Sequence, residues 1–171
     1  MLRSITSLLI ANVSNAQSET TMHYWLMKSE PQAFSITDLA RNKIEPWDGV
    51  RNYQARNFLR DVMAIGDGIL FYHSNCPIPG VVGLAEVVST SYPDPTQFDP
   101  NNSHYDPKSL LEAPRWYLIN VSFVRKLKRI ITLSELRNDS KLGNFTLTRR
   151  GNRLSVMPVS RAQWLHILGL E

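Results

Sequence analysis

Three short stretches gather aromatic rings, amides and cations at spacings that suit a flat heteroaromatic ligand: residues 24–31, 47–58 and 149–158. Their chemically notable members are Trp25, Lys28 and Ser29; Trp47, Val50, Arg51, Asn52 and Tyr53; and Arg149, Arg150 and Arg153. An aromatic face stacks on a nucleobase for roughly 1–3 kcal/mol whatever the base. Asn and Ser can then read base edges while Arg and Lys hold phosphates. Each stretch also has a plainer reading. Trp25 lies in a strand-like run, where an indole belongs to a core more often than to a cage. Trp47 follows Pro46 in a polar loop and fits a pocket better. Tyr53 and Phe58 fit helix-to-core contacts, and the three arginines fit a solvated turn as well as a phosphate site.

Other chemistry finds little support. No glycine-rich phosphate loop follows a strand, and no Gly-x-Ser-x-Gly elbow is present. The histidines, His23, His73, His104 and His166, are scattered. His73 and Cys76 are spaced like two zinc ligands, but no second pair completes a site. Glu45 and Asp48 flank Trp47, yet nearness in sequence makes no acid–base couple. Cys76 has no evident activating partner. We therefore expect no cofactor, no metal and no catalysis. Two other readings stay open: a small enzyme acting on a nucleotide or modified base through His73 or Cys76 with a carboxylate, and a protein-binding scaffold using Trp116 and the loop of residues 92–114.

The elements that must position these residues belong to one domain. A chain of 171 residues, 43% hydrophobic and 20% charged, has room for a single core. No apolar run is long enough to span a membrane, and a lone cysteine suits a reducing compartment. The charge is uneven: residues 86–112 carry a net −4 and residues 115–153 a net +8. A basic half beside an acidic loop fits a polyanion on one face, or simply solvated charge. Residues 1–21 carry Arg3, the run Leu8-Leu9-Ile10 and small Ser14 and Ala16, a faint signal-peptide pattern. The apolar run is short and interrupted, so we expect a disordered extension or an upstream start there, with the domain spanning 22–171. Secretion is not expected; the cytoplasm of a bacterium or the nucleus of a eukaryote is.

Local signals alternate between strand and helix. Residues 23–27, 69–73, 80–90 and 154–159 read as strands. Residues 115–125 read as a strand with Tyr117, Ile119, Val121 and Phe123 facing the core. Capping-box patterns at Ser35–Asp38, Thr132–Glu135 and Ser160–Gln163 start short helices, and residues 52–61 read as another helix. Residues 93–114, rich in proline, read as loop. Short strands mixed with short helices, without regular βα alternation, indicate an α+β fold.

The strings Trp25-Leu26-Met27-Lys28-Ser29-Glu30-Pro31, Trp47-Asp48-Gly49-Val50-Arg51-Asn52-Tyr53-Gln54-Ala55-Arg56-Asn57 and Phe71-Tyr72-His73-Ser74-Asn75 resemble the EVE domain. So do Tyr92-Pro93-Asp94, Tyr105-Asp106-Pro107-Lys108 and Arg153-Leu154-Ser155-Val156-Met157-Pro158, so the likeness spans residues 22–171. The resemblance implies a PUA-like mixed β-barrel with short flanking helices, similar to the YTH readers of methylated adenine, with an aromatic pocket beside a basic surface. It further implies reading of a modified base in DNA or RNA, notably methylated or hydroxymethylated cytosine; bacterial relatives are linked to restriction of modified DNA or to RNA modification. On this basis we expect a base, flipped or single-stranded, between Trp25 and Trp47 with Val50 beside them. Lys28, Ser29, Asn52, His73 and Ser74 are the expected edge readers, and Arg51, Arg149, Arg150 and Arg153 the expected phosphate contacts.

Overall fold

The computed structural model describes residues 22–171; the expected N-terminal extension, residues 1–21, lies outside the described residues. Eight strands and four short helices follow one another: β1 (Tyr24–Ser29), α1 (Ile36–Asn42), β2 (Ile44–Pro46), α2 (Tyr53–Asn57), β3 (Gly68–His73), β4 (Gly80–Val87), β5 (Tyr92–Pro93), β6 (Tyr117–Leu118), β7 (Asn120–Thr132), α3 (Leu133–Asn138), β8 (Val156–Val159) and α4 (Arg161–Leu168). Six strands form one mixed sheet in the order β2-β7-β4-β3-β1-β8, and β5 pairs with β6 in a small second sheet. One neighbouring pair, β3 and β1, is parallel, with Trp25 opposite Ile69 and Ser29 opposite His73. The other pairs are antiparallel.

The centre of the sheet is covered on both faces, which is why its strands read as nearly continuous apolar runs. Trp25 and Met27 of β1, with Ile69 and Phe71 of β3, pack into one core with Leu39, Trp47, Val50, Ile119 and Val121. Their alternates Leu26, Leu70 and Tyr72 pack into a second core with Leu136, Phe145, Met157 and Ile167. Register shifts between Phe71 and Tyr72, and twice along β4 and β7, insert extra residues that bend the strands. The sheet curls accordingly into a half-barrel, giving the expected α+β, PUA-like architecture.

The helices start where their side chains cap the free backbone donors. At α1, α3 and α4 the hydroxyls of Ser35, Thr132 and Ser160 accept from the N3 backbone, and Asp38, Glu135 and Gln163 accept in return from the cap residue's own N–H. Two elements depart from expectation. β7 does not stop at residue 125 but continues to Thr132, carrying Arg125, Lys126, Lys128 and Arg129. Trp116 and Leu118, expected on the outward face, are buried together with Ile119 and Val121, because the loop of residues 93–114 folds over them. That loop is pinned by buried Gln97, whose carboxamide donates to Trp116 O at 2.9 Å and accepts from Trp116 N at 3.0 Å.

Candidate nucleic-acid interface

Trp47 leaves β2 and donates its backbone N–H to Ile119 O at 2.8 Å, fixing the indole at the edge of the large sheet. The ring meets Phe71 edge-on, at 5.4 Å between centroids and 82° between planes. The chain then turns through Gly49 at φ +73, and a Cβ there would stand 2.6 Å from His104 Cε1. Only glycine lets the turn lie this close to the imidazole. Arg51 locks the arrangement, donating through Nη1 to Asp94 at 2.8 Å and through Nε to His104 O at 2.8 Å. The outcome is a cavity of about 380 Å³ between Trp47 and Phe34, with Lys28, Ser29, Glu45, Asp48 and His104 also in its lining. This volume falls within the range of small-molecule sites, about 300–1,000 Å³.

Several polar groups in and beside this cavity are already committed. Ser29 Oγ donates to Phe34 O at 2.6 Å, and Ser29 O accepts from Ser74 N at 2.9 Å. His73 Nε2 accepts from Ile36 N at 3.1 Å, at the first turn of α1. A protonated ring could not accept that bond, and burial pushes the His73 pKa down in the same sense. Lys28 and Asp48, by contrast, have no side-chain hydrogen-bond or ion-pair partner among the described residues. Burial lowers the Lys28 pKa. Asp48 is raised above the ordinary carboxylate value by desolvation first and the Asp94 charge second, with His104 and Arg51 pulling the other way.

Lys28 also lines a second and larger cavity, a groove of about 740 Å³. Its walls carry Tyr72, Ser74, Cys76, Arg137, Arg149, Arg150 and Asn152. Arg149 and Arg150 stand exposed on the turn that reaches Gly151 at φ +78, and Asn152 holds that turn by donating to Thr146 O at 2.9 Å. Tyr72 is pushed up to about 12, chiefly by burial and then by nearby Cys76, so its phenol stays protonated at neutral pH. An aromatic pocket and a cationic groove thus share one ammonium.

The model of the EVE domain matches residues 23–170, nearly all of the described chain. The chain belongs to the EVE-domain family. It is 47% identical to mouse thymocyte nuclear protein 1 over 87% of this chain and 74% of that protein, and 45% identical to the human protein over 86% and 73%. Among solved structures, a Pseudomonas syringae protein superposes with a TM-score of 0.84 at 51% identity, covering 86% of this chain and 98% of that one. The human THYN1 protein in complex with DNA containing 5-methylcytosine superposes with a TM-score of 0.81 at 44% identity, covering 86% and 96%. The YTH domain of Zygosaccharomyces rouxii MRB1, at 15% identity and a TM-score of 0.50, shares the fold.

In this EVE domain the expected site residues separate into groups. Lys28, Ser29 and Trp47 come together around the small cavity, and Ser74, Arg149 and Arg150 line the groove with Lys28. Trp25 does not face Trp47 across a ligand space. It is 2% exposed, its Nε1 donates to Asp67 at 2.9 Å, and its ring packs on Phe58. The reason is its register in β1, which turns it into the first core opposite Ile69. Val50 is likewise core. Asn52 spends its carboxamide oxygen capping α2, accepting from Ala55 N at 3.0 Å. Arg51 is the clamp described above rather than a free phosphate ligand, and Arg153 is exposed but lines neither cavity.

The two cavities are also lined by residues outside the expected site: Phe34, Asp48, Glu45 and His104 in the smaller one, and Tyr72, Arg137 and Asn152 in the groove. Phe34 directly precedes the Ser35 cap, a place where apolar residues commonly pack back on their helix; His104 carries no local signal at all. Trp116, considered above for protein docking, is buried, donates Nε1 to Asp106 at 2.8 Å and is stacked on Tyr53. Among the described residues no three His, Cys, Asp or Glu side chains converge on a possible metal position, and no helix is long and apolar enough to cross a membrane.

Proposed function

We propose that this domain is a nucleic-acid-binding module that takes a single modified base into the Trp47 pocket and lays the flanking phosphates along the groove of Lys28, Arg137, Arg149 and Arg150. The observation that carries the reading is the shared ammonium: Lys28 belongs to the linings of both cavities, so a nucleotide can place its base on one side and its backbone on the other. The human relative bound to 5-methylcytosine DNA supports the choice of a methylated or hydroxymethylated cytosine, or an equivalent RNA base. The aromatic walls are then Trp47 and Phe34, with Trp25 acting from behind as core. Binding, not turnover, is the activity we assign. His73 is tied to the start of α1, and Cys76 lies in the groove with no hydrogen-bond partner among the described residues.

The base enters from a single strand or after flipping from a duplex, which costs a few kcal/mol and least for a base already poorly paired. Stacking on Trp47 offsets much of that cost, at about 1–3 kcal/mol. A buried methyl adds only about 0.8 kcal/mol, roughly a fourfold preference, so stronger discrimination needs the pocket's shape and polar groups. The test is binding of the purified protein to oligonucleotides with and without 5-methylcytosine, comparing the parent with Trp47→Ala and with Lys28→Ala. Because Trp47 also packs on Phe71, circular dichroism must first establish that Trp47→Ala is folded. A folded Trp47→Ala that binds as well as the parent would end the pocket model. Lys28→Ala, away from the apolar core, is expected to weaken both the modified and the unmodified complex.

A further inference from the structure

We propose that Asp48 is a specificity-determining residue that accepts a hydrogen bond from the exocyclic amino group at C4 of a pyrimidine held against Trp47, selecting cytosine-type bases over thymine- and uracil-type ones. This rests on the base-pocket reading and names the group that sets the pocket's chemistry.

The pocket offers few uncommitted polar groups. Ser29 Oγ is spent on Phe34 O, and Glu45 accepts from the Asn42 carboxamide. Asp48 and Lys28 line the cavity without side-chain partners among the described residues. An ionised carboxylate only accepts, and an ammonium only donates. A cytosine-type edge offers one amino donor at C4 beside acceptors at N3 and O2, which is what one carboxylate and one ammonium together require.

A thymine-type edge puts a carbonyl at C4. Its single donor, N3–H, lies between two carbonyl oxygens that a carboxylate must approach to reach it. Such a base therefore meets like charge where the cytosine-type base meets a partner, and a mispaired polar group in a partly dry pocket discriminates far more than a missing methyl does. The surroundings of Asp48 add weight. Partial desolvation and the neighbouring Asp94 carboxylate make its ionised form costly, and a donor arriving on the ligand relieves that cost.

The experiment uses the full chain at pH 8 and single-stranded oligonucleotides of abasic linkers with one central base, either 5-methylcytosine or thymine. The two bases share the 5-methyl group and nearly the same shape. They differ only in the amine or carbonyl at C4 and the proton on N3, and without a second strand neither pays for unpairing. The parent should prefer 5-methylcytosine by roughly 5- to 150-fold, the range of a well-made polar edge contact. Asp48→Asn, nearly isosteric and on the accessible wall, and Asp48→Ala should both bring the two affinities to within about twofold, with thermal melts matching the parent. A preference that survives in both variants overturns the proposal, and so does a parent that binds the two bases equally. A parent that binds neither oligonucleotide overturns the base-pocket reading itself, a different failure with a different signature.

Discussion

Arg51 and Asp94 meet at 2.8 Å, and that one pair ties the turn carrying Trp47 to the loop carrying His104. Asp94 is fully buried and takes further donors from Gly49 N at 2.9 Å and Thr96 N at 2.8 Å. Removing the guanidinium leaves an acidic group buried with fewer partners. Breaking a buried pair by deleting one member costs about 3–5 kcal/mol, and the remaining donors put Arg51→Ala at the lower end. Urea unfolding should show that loss. Base binding should fall as well, because Asp48 and His104 would lose their fixed relation to Trp47. A variant of parental stability would mean that Arg51 is not the clamp.

The same carboxylate sets a pH dependence. Burial alone would raise the Asp94 pKa, but hydrogen bonds from Thr96, Arg51 and Gly49 outweigh it and leave it below its ordinary value. A group depressed in the folded state contributes stability above its unfolded pKa of about 3.9 and loses it as pH falls through the folded value. Acid titration of the parent should therefore show a loss of stability below about pH 4. In Asp94→Asn, which has no charge to protonate, that limb should be shallower while stability at neutral pH is lower throughout. Parallel acid limbs in the two proteins would exclude Asp94 as a source.

What could be read in the sequence was local. The three capping boxes are complete within four residues each, and all three form as the spacing predicts. The doubly apolar β1 and β3 announce burial on both faces, although not that they lie parallel. What could not be read is joined across the chain. Trp25 finds its partner 42 residues away in Asp67; its strand-like surroundings already favoured a core position, but no local signal named the carboxylate that holds its indole there. His104 lines the pocket with its carbonyl held by Arg51, 53 residues earlier. β7 hides its second half behind cations, since Arg125 and Arg129 are matched by Glu171 and Glu135 rather than by any alternation in hydropathy.

Trp25 offers a direct contrast between core and cage. Its Nε1 donates to Asp67, whose carboxylate also accepts from His23 N at 3.0 Å and Ala64 N at 3.0 Å. Trp25→Phe keeps an aromatic ring but leaves part of Asp67 unsatisfied and a small void. The expected cost is roughly 1–3 kcal/mol, from the buried acceptor left short of a donor, read as a lower urea midpoint with an unchanged slope. The ratio of affinities for modified and unmodified oligonucleotides should not move. A changed ratio in a protein that remains folded would return Trp25 to the wall of the base pocket.

Arg149, Arg150 and Arg153 provide an internal control for the groove, since the first two line it and the third does not. Each phosphate contact on a single strand contributes about 0.7 to the slope of log affinity against log salt. Arg149→Ala with Arg150→Ala should therefore flatten that slope by about 1.4, while the preference for a modified base persists, because backbone contacts position without reading sequence. Arg153→Ala should leave the slope within error of the parent. If Arg153→Ala flattens it as much as the double variant does, the cations act only through their summed charge, and the path of the strand does not follow the groove.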